Sequence, residues 1–195
     1  MRATSHFYAY LSKLKWIFRW GMKRNVITEN VAEHSWEVAT IAHGLALIRN
    51  TYFGGQVDAN AVATAALYHD SSEVLTGDLP SPIKYKSLSI RDAYKAIESE
   101  AELKLLEQLP EELKSAYQPY LIEHQLPKEH AELIKAADVI SAYIKCQSEL
   151  RAGNHEFAKA AVDIESRLRA LEIPEAEHFM QVFAPSYELT LDELL

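Results

Sequence analysis

Histidine and carboxylate side chains cluster in the stretch LYHDSSEVLTGDLPSP, at positions 67–82. An apolar run, ANAVATAALY, leads directly into His69 and Asp70, and Glu73 and Asp78 follow shortly afterwards. An imidazole beside a carboxylate can bind a metal ion or move protons. Neighbouring helical residues point about 100° apart, so such a pair converges on one ion most easily at a helix end. The two serines that follow the pair favour a helix end at this point.

The His69-Asp70 pair also has a purely structural interpretation. In that alternative, His69 bonds a local backbone carbonyl and Asp70 caps the next turn. The chain has eight histidines, so an isolated His-Asp pair is a weak signal. Five of the histidines lack a nearby group of convergent polar residues, namely His6, His43, His130, His155 and His178, and His124 lies in LIEHQ near a predicted helix end.

His34 and Asp138 are candidate partners of this pair. His34 lies at the start of an amphipathic segment, NVAEHSWEVA, and Asp138 lies in the largely apolar LIKAADVISAYIKC. A lone carboxylate on such a helix is costly to bury unless it is paired or bound to a metal. Two imidazoles and two carboxylates suit Mn, Fe, Co, Ni or Zn far better than Ca. Four protein ligands leave an octahedral ion two positions for water and a substrate oxygen, as metal-assisted hydrolysis requires.

The elements that must position these residues are predicted to be helices. Apolar residues recur at helical spacing almost everywhere, glycines are few, and prolines are expected between helices and not inside them. The apolar stripe from Phe7 to Phe18 predicts a first helix, Asp58 can cap a helix over 59–70, and Pro110 suits the first turn of a later one. No segment alternates as a strand would. We therefore predict an all-α, bundle-like single domain over residues 1–195.

Composition and charge limit the classes of function. The 195-residue chain has a formal net charge of −8, and no Lys/Arg cluster offsets it, which argues against a nucleic-acid polymer as partner. No segment is long and apolar enough to span a membrane. The single cysteine, Cys146, excludes an internal disulfide and fits a reducing compartment. Residues 1–20 include Arg2 but no cleavage site of a signal peptide, so we expect a cytoplasmic protein.

The order His34, His69-Asp70, Asp138 resembles the pattern of the HD-domain metal-dependent phosphohydrolases. The stretches RWGMKRNVITENVAEHSWEVA and YHDSSEVLTGDLPSPIKY are similar to the bacterial HD-domain 5′-deoxynucleotidases, over essentially the whole chain. The resemblance implies an all-α HD domain with its metal-binding core at about 31–143, assembled as a homodimer. It also implies a phosphomonoesterase that hydrolyses deoxyribonucleoside 5′-monophosphates and selects against ribonucleotides.

The same resemblance implies a metal centre and a proton-transfer group. His34, His69, Asp70 and Asp138 would bind one divalent transition metal, with cobalt or manganese expected and zinc, iron, copper or nickel as alternatives. Glu73 would be the general acid/base that acts on the metal-bound water. Its spacing agrees with this role, because residues i and i+3 lie on one face if the turn after Asp70 remains helical.

The resemblance further implies a substrate site. Arg19 would orient the phosphate, as a guanidinium that never deprotonates can, and Trp20 would pack by the sugar and disfavour a 2′-hydroxyl. Asp78 would accept a hydrogen bond from the 3′-hydroxyl. Taken singly, Arg19 and Trp20 could also end a helix, and Asp78 could be a turn residue. The implied substrate-binding residues are Arg19, Trp20, Asp70, Asp78, Leu79, Pro80 and Ser81.

Two alternative functions stay open at this point. The first is another HD-type phosphohydrolase, acting on nucleoside triphosphates, cyclic nucleotides or guanosine pyrophosphates. A triphosphohydrolase would need more Lys/Arg at its site, and a two-metal enzyme would need extra ligands. His124 is the only good spare histidine between His69 and Asp138, so we favour one metal. The second alternative is a non-catalytic HD ligand-binding module, although such a module often lacks a ligand and here all four are present.

Overall fold

A computed structural model describes residues 4–195, and within that range the chain forms helices and no strand. The prediction of an all-α fold is therefore confirmed. Arg2, which entered the expectation about a signal peptide, lies outside the described residues, as do the other residues of 1–3. The α-helices are α1 (Phe7–Leu11), α2 (Val31–Tyr52), α3 (Ala59–Tyr68), α4 (Glu73–Thr76), α5 (Ser81–Lys84), α6 (Leu88–Glu107), α7 (Glu111–Leu121), α8 (Lys128–Arg151), α9 (Ala158–Arg169), α10 (Pro174–Val182) and α11 (Leu191–Leu194). Short 3₁₀ turns lie at Ser12–Trp16, Glu123–Gln125, His155–Phe157 and Ala184–Glu188.

The main hydrophobic core lies between α2, α3 and α8. Val38 and Leu45 of α2, Val62 of α3, and Leu133 and Ile140 of α8 are fully buried there. Burying one such side chain contributes roughly 1.5–3 kcal/mol. Because these three helices also carry the predicted metal ligands or lead directly to them, the core sets the relative positions of the ligands.

Side-chain caps define where α2 and α3 begin. The Asn30 side chain accepts a hydrogen bond from the Glu33 amide at 3.0 Å, and Glu33 accepts one from the Asn30 amide at 3.3 Å, so the two residues form a capping box. Asp58 accepts from the amides of Asn60 and Ala61, both at 3.0 Å. The predicted cap at Asp58 is thus confirmed.

The apolar stripe near the N-terminus does not form one continuous helix. Helix α1 has 5 residues, a 3₁₀ turn follows it, and the chain is then extended. The backbone at Phe18 forms an isolated antiparallel bridge with Asn30, and the Arg19 amide donates to the Glu29 carbonyl at 3.0 Å. The prediction of a single helix reaching Phe18 is wrong, because pairing with the segment before α2 replaces the helical hydrogen bonds.

One proline lies inside a helix, so the expectation that prolines occur only between helices is also wrong. Pro119 is in the last turn of α7. It has no N–H, so the carbonyl of Ser115 loses its helical partner. The helix nevertheless continues to Leu121, which is buried in a second apolar cluster with Phe7 and Leu105. Among residues 4–195, every helix is too short or too polar to cross a bilayer.

Candidate metal centre and active site

Three of the four predicted metal ligands, His34, His69 and Asp70, meet where α2 approaches the end of α3, and Asp138 of α8 lies beside His34. One ligand atom each from His34, His69 and Asp70 lie within 4.8 Å of one another. The Asp70 Oδ2 atom is 3.2 Å from His69 Nε2 and 3.4 Å from His34 Nε2. The Asp138 Oδ1 atom is also 3.4 Å from His34 Nε2. Two imidazoles and one carboxylate therefore form a compact group, and the second carboxylate, that of Asp138, adjoins it at His34.

Hydrogen bonds on the far side of each imidazole orient the two rings. His34 Nδ1 is 3.1 Å from the Ser141 hydroxyl, which donates its own hydrogen to Glu37 at 2.5 Å and so accepts from the ring. His69 Nδ1 donates to the Ala66 carbonyl at 2.8 Å. These partners assign the proton to Nδ1 in both rings. Within the part of the chain that the structure describes, both Nε2 atoms are buried without a hydrogen-bond partner. In a ring whose only proton is on Nδ1, Nε2 is the atom that could bind a metal.

The position of His69 reconciles the two interpretations of the His-Asp pair. Helix α3 ends at Tyr68 and not at 70, so His69 is its C-terminal boundary and Asp70 lies in the turn that follows. His69 does bond a local carbonyl, but only through Nδ1, and Nε2 stays available. The residue that precedes α4 is Ser72, so Asp70 does not cap the next helix. Because the regular helix ends at Tyr68, the side chains of His69 and Asp70 can approach each other.

Several carboxylates around His34 raise the pKa of its ring. Burial and the nearby Arg19 charge would each lower its pKa. Asp138, Glu29 and Asp70 outweigh them and raise the pKa of His34 to about 9. The surroundings of this ring therefore favour a positive charge at the point where the ligands meet. A mixed nitrogen and oxygen donor set with two unpartnered imidazole nitrogens fits a divalent transition metal.

Both ligand carboxylates are ionised at neutral pH. Burial would raise the pKa of Asp70, but the His69 ring, followed by His34 and Arg19, holds it well below its usual range. Burial likewise opposes ionisation of Asp138, and Lys135, whose Nζ lies 2.6 Å from Oδ2, is the largest influence that holds its pKa well below the usual range. The two carboxylates thus supply the negative charge that a cation needs.

A cavity of about 650 Å³ opens beside three of the predicted metal ligands, His69, Asp70 and Asp138. Its size is within the range of sites that hold small-molecule ligands. Asp138, His69 and Glu73 form part of its wall. The predicted substrate-binding residues also line it, namely Arg19, Trp20, Asp70, Asp78, Leu79, Pro80 and Ser81. The cavity therefore brings the predicted metal ligands, acid/base group and substrate contacts to one place.

Glu73 is a buried carboxyl group in the cavity wall. Glu73 is the first residue of α4 and follows directly after the turn that contains Asp70. The residue is only 6% exposed to solvent. Its Oε2 atom has no hydrogen-bond partner among residues 4–195. Burial first, and then the charges of Asp70 and Asp78, raise the pKa of Glu73 to about 10. The surroundings of Glu73 therefore favour its protonated form.

Arg19 and Trp20 reach the cavity from the segment that follows the first 3₁₀ turn. Arg19 Nη1 donates to Asp70 Oδ2 at 3.3 Å. Trp20 has a left-handed backbone, with φ of 62°, which costs a residue with a side chain roughly 1–2 kcal/mol. Its indole N–H donates to Glu29 at 2.6 Å, and its ring centroid lies 5.2 Å from that of Phe157. Backbone strain of this kind is concentrated at functional sites.

Three polar residues of the site were not predicted. Lys135 lies three positions before Asp138 on α8, and Ser141 lies three positions after it. Helical spacing alone would have placed both on the same face of the helix as Asp138. Glu29 lies just before the helix cap Asn30 and contacts Arg19, Trp20 and His34, but no periodic pattern marks it.

A buried polar cluster anchors the loop between Trp20 and Glu29. Glu149 is fully buried and accepts hydrogen bonds from the amides of Val26 at 2.9 Å and Ile27 at 3.0 Å. Asn154 donates to it at 2.7 Å, and Lys145 pairs with it. Each member of the cluster has a partner, so the cluster fixes this loop on α8.

We expect the protein to lose stability in acid partly through Glu149. Burial would raise the pKa of Glu149, but Lys145, Asn154 and two backbone amides lower it from 4.5 to about 2. Because the pKa is lower in the folded state, this stabilisation is complete above pH 4.5 and disappears as the pH falls toward 2. It amounts to about 3 kcal/mol. Urea unfolding of the metal-free protein at a series of pH values would measure it.

The matched variant for this prediction is Glu149→Gln, which keeps the shape of the side chain and cannot titrate. Its free energy of unfolding should be lower than that of the wild type at pH 7, and it should fall less steeply between pH 4.5 and pH 2. Glu165→Gln, on the surface of α9, serves as the control and should follow the wild type. Parallel curves for Glu149→Gln and wild type would contradict the prediction.

Comparison with solved structures defines the class of the fold. An HD-domain phosphohydrolase of Listeria innocua matches with a TM-score of 0.80 at 22% identity, covering 93% of this chain and 88% of that one. An HD phosphohydrolase of cyanophage S-2L, solved with dA and one catalytic Zn²⁺ ion, matches with a TM-score of 0.65 at 21% identity, covering 97% and 100%. The fold is that of the HD-domain phosphohydrolases.

Comparison of sequences narrows this class to one family. The family described as 5′-deoxynucleotidase YfbR-like matches residues 6–187. A 5′-deoxynucleotidase of Vibrio vulnificus is 52% identical over 190 residues, covering 97% of this chain and 98% of that protein. The chain belongs to the YfbR-like 5′-deoxynucleotidase family, which confirms the predicted family and enzyme class and sets aside the two alternative functions.

Proposed function

We infer that the cavity beside the predicted metal ligands is the active site of this enzyme. The protein is a 5′-deoxynucleotidase, which hydrolyses deoxyribonucleoside 5′-monophosphates to a deoxynucleoside and phosphate. The observation that carries the inference is the pair of buried, unpartnered Nε2 atoms of His34 and His69, which face two ionised carboxylates at the edge of the cavity. A cation site at a cavity of nucleotide size suits phosphomonoester hydrolysis.

His34, His69, Asp70 and Asp138 would hold one divalent transition metal. A bound ion of this kind lowers the pKa of water and neutralises charge on a phosphoryl group. We propose cobalt or manganese, and zinc, iron, copper and nickel suit the same donors. The cyanophage protein with the same fold holds zinc, which supports a transition metal at this position.

Glu73 and Arg19 would handle the proton and the phosphate. Glu73 lies next to the ligand-bearing turn, so its carboxyl group can take a proton from water or give one to the departing 5′-oxygen. Arg19, anchored by Asp70, would place a permanent positive charge against the phosphate. Phosphoryl transfer passes through a loose transition state, so positioning and charge supply most of the rate enhancement.

Trp20 and Asp78 would select the sugar. The indole of Trp20 would pack where a ribose 2′-hydroxyl would otherwise lie. Asp78 would accept a hydrogen bond from the 3′-hydroxyl, and the backbone from Leu79 through Pro80 to Ser81 would complete the sugar end. Burial raises the pKa of Asp78 above its usual value, while Arg19 is the largest influence that lowers it. A hydroxyl group of the substrate would give this carboxylate a polar partner.

We also propose a cytoplasmic homodimer. Trp16 and Trp36, each 65% exposed, support a subunit interface, because tryptophan is enriched at protein–protein interfaces relative to the rest of the surface.

The test of the proposed function compares phosphate release from dAMP and AMP. Metal-stripped enzyme is assayed alone and after addition of Co²⁺, Mn²⁺ or Mg²⁺. We expect no turnover without metal and restored hydrolysis of dAMP, but not AMP, with Co²⁺ or Mn²⁺. Equal hydrolysis of both nucleotides would keep the metal-dependent phosphatase and refute the selection against ribose. Turnover by the metal-free enzyme would refute the metal centre.

A further inference from the structure

The side chain of Glu29 connects three groups of the site. Its Oε2 atom accepts a hydrogen bond from the Trp20 indole at 2.6 Å and lies 3.5 Å from Arg19 Nε. Its Oε1 atom lies 3.4 Å from His34 Nδ1. The side chain is only 12% exposed, so these charged contacts are weakly screened. One carboxylate thus touches the residues proposed to contact the sugar, the phosphate and the metal.

The main chain fixes Glu29 from both sides. The next residue, Asn30, is the cap of α2, the helix that carries His34. The Glu29 carbonyl accepts from the Arg19 amide at 3.0 Å, beside the bridge between Phe18 and Asn30. The carboxylate is therefore preorganised relative to the metal ligand and to the segment that carries the substrate contacts.

The indole of Trp20 depends on Glu29 more than the other two groups do. His34 Nδ1 keeps the hydroxyl of Ser141 as a second partner, at 3.1 Å. Arg19 keeps Asp70 at 3.3 Å. The indole N–H has only one possible bond to make, and in the described structure Glu29 accepts it. Loss of the carboxylate would leave this N–H unpaired beside the cavity, and only the apolar contact with Phe157 would then help to hold the ring.

We propose that Glu29 is a positioning residue that sets the selectivity for deoxyribose by holding the indole of Trp20 against the sugar. The inference rests on the proposed function, in which Trp20 packs by the sugar. Removal of Glu29 would act mainly on the discrimination between dAMP and AMP, and less on metal binding, since His34 retains Ser141.

The test measures kcat and KM for dAMP and AMP in the metal-loaded wild type, Glu29→Ala and Glu29→Gln. In Glu29→Ala, the ratio of kcat/KM for dAMP to that for AMP should fall about tenfold or more, because the ring no longer excludes the 2′-hydroxyl. Glu29→Gln keeps an oxygen that accepts from the indole, so its ratio should stay within about threefold of the wild type. A general loss of folding would lower both rates and leave the ratio unchanged.

Two further variants separate the proposed path from a merely structural effect. Trp20→Phe keeps an aromatic ring and removes the N–H, so it should lower the ratio as Glu29→Ala does, even if Glu29→Ala fails to fold. In the Trp20→Phe background, Glu29→Ala should lower the ratio no further. Glu33→Gln is the control, since Glu33 is an exposed glutamate four residues after Glu29, in the first turn of α2, and its ratio should match the wild type.

The outcomes distinguish this inference from the proposed function. A wild type that does not prefer dAMP would refute the proposed selectivity and, with it, a role for Glu29. A selective wild type whose ratio survives both Glu29→Ala and Trp20→Phe would overturn the inference alone. A further drop when Glu29→Ala is added to Trp20→Phe would also overturn it, because Glu29 would then act by another path.

Discussion

The Glu73→Ala variant is expected to bind metal and dAMP normally and to lose about 10²–10⁴-fold in kcat, the usual contribution of a general acid/base. Glu73 is not a predicted metal ligand, and it begins the turn after Asp70 with one oxygen unpartnered among residues 4–195. Its removal deletes the proton-transfer group and leaves the four ligands and Arg19 in place. Metal content, a binding titration with dAMP and steady-state kinetics would together measure the effect.

The chain provides a matched control for Glu73. Glu102 is also 6% exposed, lines the same cavity and has an unpartnered buried oxygen within the described range. Burial, followed by Glu123, raises its pKa to about 7. Glu102→Gln should keep kcat within about threefold of the wild type, far from the loss expected of a general acid/base. Near wild-type turnover in Glu73→Ala would exclude the acid/base role, whereas loss of metal in that variant would show that Glu73 acts on the ligands.

The Asp70→Asn variant is expected to lose both metal and activity. Asp70 lies between the two imidazoles, 3.4 Å and 3.2 Å from their Nε2 atoms, and it also accepts from Arg19. The substitution removes the negative charge that a cation needs and the anchor of the proposed phosphate contact. Metal affinity should fall by more than about 100-fold, because even outer-shell changes cost 10–100-fold. Turnover should fall by about 10³-fold or more.

Calorimetric titration of the stripped protein with Co²⁺, followed by a dAMP assay, would measure both losses. Asp92→Asn is the control, because Asp92 is an exposed aspartate on α6 that pairs only with its neighbour Arg91 among the described residues. It should bind Co²⁺ and hydrolyse dAMP like the wild type. Full metal occupancy and normal turnover in Asp70→Asn would remove Asp70 from the ligand set.

Local sequence signals predicted a helix correctly where a single capping residue and one apolar face are enough to determine where the helix begins. The helix after Asp58 begins where its side chain caps two amides. Sequence reasoning failed where pairing over a longer distance competes with local preference. The stripe that ends at Phe18 has helical periodicity, yet the backbone there pairs with Asn30. Pro119 remains helical because the following residues are packed, which a local rule for proline does not include.

The sequence allowed prediction of those site residues whose types and order along the chain form a recognisable pattern. His34, His69-Asp70 and Asp138 form such an ordered pattern. The structure groups the first three and places Asp138 beside His34, while their chemistry stays a prediction. Glu29 could not be found in this way. Its contacts with Trp20 and Arg19 depend on the backbone bridge between Phe18 and Asn30 and on the left-handed backbone of Trp20. Neither feature produces a periodic pattern of residue types in the sequence.

The predicted metal ligands come from three elements that are far apart along the chain: α2, the turn after α3, and α8. An ion that binds all of them acts as a cross-link of the folded state alone. At a hundredfold excess over its Kd, it would stabilise that state by about 2.7 kcal/mol. Chaperones and proteases in the cell act on the unfolded fraction. A shortage of the metal would therefore reduce the number of folded enzyme molecules as well as the fraction of them that is active. The total rate of hydrolysis in the cell would fall for both reasons.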